Sequence, residues 1–167
     1  MKFLCEEGKR VIDLEENRFL KSDQVIRELN PELADWLWNN RSISYERYWE
    51  IAIAALRKTV WSDIKGQDMI DGTEVKTCRF RESKDGALRA TVGNLKNKTG
   101  AIVVVIFHPF FQEFDFLYIP ADKLKQHTNS GGNGISFTFP RLSSDSEPTG
   151  WWTQYRMPLK KLIKSKE

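Results

Sequence analysis

The stretch from Ala101 to Phe107 constrains the chain more than any other, because five of its seven residues are β-branched and nothing polar interrupts them. Such a run is far too short to span a bilayer, and its composition favours a strand. A strand apolar at consecutive positions has both faces covered, so it belongs in the middle of a sheet. His108-Pro109 stops it. Glu113 to Ile119 alternates and reads as its neighbour, Pro120 opens a short helix over 121–127, and Ile135 to Phe139 alternates as a further strand. Thr128 to Gly134 and Leu142 to Gly150 read as loops, and Trp151 to Lys164 as helical or irregular with a basic end.

Ahead of this sheet the periodicity is helical. Residues 1–21 alternate apolar and charged groups without a clean period and fit either a short helix or a hairpin. Val25, Ile26 and Leu29 mark a short helix from Ser22, and Asn30-Pro31 caps a second that runs through Trp38. Ser44 caps the best one, Tyr45 to about Val60, with Trp49, Ile53, Leu56 and Val60 on one face and Glu46 and Glu50 together beside it. Helices first and strands with short helices afterwards predict an α/β or α+β domain, with a mixed central sheet flanked by helices and a helical N-terminal part. The 167 residues fit one domain, 1–167.

Composition excludes more than it assigns. With 40% apolar and 29% charged residues the chain is ordinary globular protein, and a net charge of +3 agrees with a nucleic-acid partner without requiring one. Cys5 and Cys78 form no disulfide framework, and no Cys/His spacing suggests zinc. The N-terminus lacks a signal-peptide core, so a soluble cytoplasmic protein with reduced thiols is expected. The tryptophans read as core and interface residues, with Trp151-Trp152 the pair expected to be exposed or in a subunit contact. His108 and His127 read as structural. No nucleophile motif or phosphate-binding glycine loop is present.

The chemistry concentrates between Gln67 and Cys78. Asp71-Gly72 signals a tight turn, and Thr73, Val75 and Thr77 predict a strand leaving it, to about Arg81, before the turn Ser83 to Gly86. Side chains repeat every two residues on such a strand, so Glu74 and Lys76 share a face, with Asp68 expected across a hairpin from them. Two carboxylates and an ammonium suit a hard divalent cation acting on phosphate. Read without context, the same residues make only a surface ion pair.

Glu50 on its helix, then Lys65-Gly66-Gln67-Asp68, then Asp71-Gly72-Thr73-Glu74-Val75-Lys76-Thr77 resembles the PD-(D/E)XK nuclease superfamily, of restriction-endonuclease-like fold. The likeness is to type II restriction endonucleases and to the methyl-directed mismatch-repair endonuclease, and it is strongest over residues 50–77 and looser through 88–120. Gln67 stands where the family pattern has proline. The resemblance implies a Mg²⁺-dependent DNA endonuclease, with Mn²⁺ as a substitute, leaving 5′-phosphate and 3′-hydroxyl ends. Asp68, Glu74 and the Val75 carbonyl would hold the metal. Lys76 would hold or deprotonate the attacking water, its pKa lowered, and Glu50 would support a second metal or orient water. Asp63 rivals Asp68, and Glu46 rivals Glu50.

Arg79, Arg81, Lys84, Arg89, Lys96 and Lys98 follow this cluster, and Lys160, Lys161, Lys164 and Lys166 form a second group. Arg79, Arg81, Arg89, Lys96 and Lys98 are expected to neutralise the phosphates of double-stranded DNA, with the 129–134 and 141–150 loops as candidates for base readout. A homodimer is expected. The alternatives are a structure-specific repair or junction-resolving nuclease of the same fold and a non-catalytic DNA-binding subunit.

Overall fold

Two short strands, β1 (Lys2–Leu4) and β2 (Val11–Asp13), pair antiparallel and lead into α1 (Leu14–Arg27), α2 (Pro31–Asn39) and α3 (Tyr45–Leu56). The strands β3 (Glu74–Arg79), β4 (Arg81–Glu82), β5 (Leu88–Val92), β6 (Ile102–His108) and β7 (Glu113–Ile119) follow. Then come α4 (Ala121–His127), β8 (Ile135–Phe139), a 3-10 turn (Trp151–Tyr155) and α5 (Leu159–Leu162). This computed structural model describes residues 2–4, 11–62, 67–96, 98, 100–109, 111–129, 131–139 and 150–164, with backbone alone for 2–4 and 11–17.

The class is mixed α+β, as expected, but the strands form two three-stranded sheets rather than a single central one. Their orders are β3-β6-β7 and β4-β5-β8. The larger is mixed: β3 lies parallel to β6, and β6 antiparallel to β7. Phe80 separates the two sheets. Its amide still bonds to Phe107 and its side chain is fully buried, but Arg81 and Glu82 pair with β5, so the predicted strand to Arg81 breaks in two.

Period-2 alternation splits the core cleanly. Val75, Val103, Val105 and Phe116 face α1–α3, while Ile102, Val104, Ile106 and Leu117 face the smaller sheet, α4 and Trp152. Every residue of β6 is buried, which explains its unbroken apolar run.

The helix ends follow capping chemistry. Asn30 accepts the Leu33 amide ahead of Pro31, and Ser44 accepts that of Arg47, both as predicted. The α1 helix begins at Leu14, not near Ser22, because charged residues obscure its period. The α3 helix ends four residues before Val60. Lys58 takes a left-handed φ of 52°, and the Thr59 and Lys58 amides bond back to Ala54 and Ala55, leaving Val60 exposed. That closure usually takes glycine, so lysine hid it.

The tryptophan pair is also corrected. Trp152 is buried with its indole N–H on the Thr138 carbonyl, and Trp151 stacks on His127 at 4.0 Å, so both are occupied inside this chain. No helix among the described residues is long and apolar enough to cross a membrane.

Candidate active site

The turn before β3 forms and is closed by the Met69 amide on the Thr73 carbonyl at 3.1 Å, but the arm ahead of it makes no ladder with β3. Gly72 at φ 85° donates to the Met69 carbonyl, and the Asp71 carboxylate accepts the Thr73 amide. Met69 also bridges to Trp61, outside the main sheet. The arm carrying Asp68 therefore runs beside the open edge of β3 without extending the sheet. There the Asp68 carboxylate accepts the Val75 amide at 2.7 Å, in the place a strand carbonyl would take.

Strand alternation accounts for what this edge presents. The Glu74 amide bonds to Ala101, on the β6 side, so the amide and carbonyl of the next residue, Val75, point the other way. The Val75 carbonyl thus opens on the edge where Asp68 lies. Glu74 and Lys76 share the opposite face from Val75, as predicted.

Two ammonium groups meet at Glu74. Its Oε1 lies 3.1 Å from Lys76 Nζ and 2.6 Å from Lys98 Nζ, and Lys76 also reaches Glu46 at 3.6 Å. The Glu74 side chain is only 4% exposed, against 14% and 15% for the two lysines. Glu74 Oε2 is buried with no hydrogen-bond partner, a costly state for a carboxylate oxygen. Glu50 approaches from α3, held by the Trp61 indole at 3.3 Å and by Arg47 at 4.0 Å.

Lys98, expected to meet DNA phosphates, lies in this cluster. Glycine makes the approach possible: a methyl group on Gly100 would overlap the Gly72 carbonyl, so two bare backbones bring the Lys98 loop against the turn. The register contained the signal. Ile102 partners Glu74 in parallel, so residues just before Ile102 sit at the same end of the sheet as the start of β3. Lys96 stays exposed, its amide on Asn133, while Arg79, Arg81 and Arg89 line a groove farther along β3. Asp63, the rival to Asp68, lies outside the described residues, as do Lys65, Gly66, Lys166 and 141–149. Glu46 and Glu50 are both present, on Lys76 and on Trp61 respectively.

Electrostatics follow from crowding. Burial pushes the Glu50 carboxyl above its ordinary range and the Asp68 charge adds to the rise, against the bond from Trp61. Asp68 is raised too, by burial first, with the Val75 amide opposing and Glu74 adding. For Lys76 burial works against the charged form, but the hydrogen bond and charge of Glu74 outweigh it and hold the ammonium protonated. The expected lowering of the lysine pKa belongs to a bound cation; with carboxylates alone as its neighbours the shift is upward.

A carboxyl with a folded pKa above its unfolded one stabilises the fold fully below the unfolded pKa, and loses that contribution as pH rises through the folded value. Glu50→Gln removes the charge and keeps the shape. It is expected to melt above the parent at neutral pH and level with it below about pH 4. Thermal melts at both pH values check this, and an equal difference at both would refute it.

Among the described residues no three acidic, histidine or cysteine side chains form a metal site by themselves. Mg²⁺ does not need three: it commonly takes one or two carboxylates and fills its shell with water and phosphate oxygens. Asp68, the orphan Glu74 oxygen and the Val75 carbonyl fit that donor set. No family model, curated protein or solved structure matches the chain.

Proposed function

We propose that the protein is a Mg²⁺-dependent DNA endonuclease of restriction-endonuclease-like fold, related in action to the type II restriction enzymes. The observation that carries this reading is the buried Oε2 of Glu74, without a hydrogen-bond partner among the described residues, on a side chain whose Oε1 pairs with Lys76 and next in sequence to Val75, whose amide Asp68 takes. Asp68, Glu74 and Val75 would hold Mg²⁺, or Mn²⁺ in its place, which supplies Lewis-acid activation of the phosphoryl group and of water.

The chain's own groups do the rest. Lys76 stays protonated and directs its charge toward the phosphoryl oxygens, where negative charge grows as the bond to the leaving oxygen lengthens. Glu50, fixed by Trp61 and Arg47, orients water from the helix side. In-line attack leaves a 5′-phosphate and a 3′-hydroxyl. A homodimer would present two such edges to the two strands of a duplex. A cytoplasmic setting agrees with a free Cys78 thiol.

Incubating purified protein with supercoiled plasmid, in Mg²⁺, in Mn²⁺ and in chelator, tests the reading. Metal-dependent nicked or linear product is expected. Plasmid left intact across both metals, with DNA still bound, would replace the nuclease by a DNA-binding subunit. Fixed ends on sequencing identify a sequence-reading enzyme, and scattered ends a structure-specific one.

A further inference from the structure

Farther along the same strand is a groove of about 440 Å³, lined by Arg18 of α1, Thr77 and Arg79 of β3, Arg81 of β4, and Arg89 and Thr91 of β5. Its volume falls within the ~300–1,000 Å³ of small-ligand sites. Four guanidinium side chains border it, and no carboxylate is among its described lining residues.

Folding alone does not favour this arrangement. Arg81 and Arg89 are direct cross-strand partners on the solvent face of the smaller sheet, and like charges so placed repel. Among the described residues Arg89 pairs with the acid Asp85, at 2.8 Å in an exposed pair, which offsets little of that repulsion. Arg18 is held from the far side, its guanidinium 3.7 Å from the centre of the Tyr45 ring. Stacked guanidinium planes and paired arginines around a cavity match the fork geometry of phosphate recognition.

We infer that this groove binds a phosphate of the nucleic-acid strand. Arg79 follows Lys76 by three residues, about 10 Å of extended strand, and lies on the opposite face of the pleat, the face of Val75 and Thr77. A strand that meets both the groove and Lys76 therefore crosses the edge of β3 between them, and the groove holds it on the helix side. This rests on the nuclease reading for its orientation, but phosphate binding itself does not. The phosphate is either an internal diester or a terminal monoester, which share the oxygens that guanidinium recognises.

The test is fluorescence anisotropy of a short labelled DNA strand in chelator, so that no cleavage intervenes, with the strand carrying either a 5′-phosphate or a 5′-hydroxyl. The proteins are the parent, Arg81→Ala, Arg89→Ala and the double variant, with Arg81→Lys as the conservative control. Both arginines are exposed, and melting curves verify folding. Affinity is expected to fall about ten-fold for each alanine, with the salt dependence shallower by about one unit for each. Tighter binding of the phosphorylated end identifies a monoester, and equal binding a diester. A double variant with parental affinity and parental salt slope overturns the inference. If the arginine variants lose binding while the parent never cuts plasmid, the groove stands and the nuclease reading falls. If plasmid is cut and the double variant binds as the parent does, the reverse holds.

Discussion

Lys76→Ala is expected to lower the rate of metal-dependent DNA cleavage by about 10²–10³-fold, the cost of removing one group that meets charge in a transition state. Glu74→Ala should bring cleavage to background, and it should also weaken the fold. Glu74 is the counter-charge for both Lys76 and Lys98, with its side chain 4% exposed, so its loss leaves two ammonium groups facing each other. Removing one partner from such a buried pair costs about 3–5 kcal/mol. Single-turnover cleavage with melting curves for each variant separates the two effects. Lys98→Ala is the control, since it also takes a cation from Glu74 but leaves Lys76 at the site. If Lys76→Ala cuts at the parental rate, the role assigned to the ammonium is wrong.

The largest stability effect is expected at Trp49. Its ring is fully buried, 5.5 Å from that of Phe114 and 5.6 Å from that of Phe116 on β7, and its indole N–H bonds to Ser22 of α1 at 3.2 Å. It ties α3 to the sheet and to α1 at once. Trp49→Ala is expected to cost about 3–5 kcal/mol through lost burial and the cavity left behind, which lowers the melting temperature by about 10 °C in a domain of this size. Chemical denaturation with unchanged slope would attribute the loss to the folded state. A loss below about 1 kcal/mol would mean that neighbouring rings collapse into the space and that α3 is held by other contacts.

Elements written in local chemistry were readable in advance. The N-caps at Asn30 and Ser44, the Asp71-Gly72 turn, and the β6, β7 and β8 strands all follow from residues close together in the chain. Long-range choices were not. Nothing near Arg81 indicates that β4 and β5 leave the main sheet to pair with β8, because a half-buried strand looks the same beside any neighbour. The hairpin is cut short for a related reason: the Met69 amide reaches the Thr73 carbonyl, but next to it the Asp68 side chain takes the Val75 amide, so backbone pairing gives way to a side-chain bond with no periodic trace.

The same distinction governs the site. Glu74 and Lys76 are two residues apart, and their common face follows from the pleat. Lys98 comes from beyond two further strands and arrives only because β6 starts in parallel beside β3. Arg18 reaches the groove from α1, whose start the charge pattern concealed.

The edge of β3 also decides how copies of this protein can meet. An unpaired strand border invites a strand from another molecule, and cells commonly deter that with charge placed along it. Here the Val75 amide is already engaged by Asp68, and Lys76 and Glu46 stand nearby, so an incoming backbone must first displace them. Self-association and the proposed metal site thus draw on one row of peptide groups, and any dimer that leaves that site open has to form on a different surface.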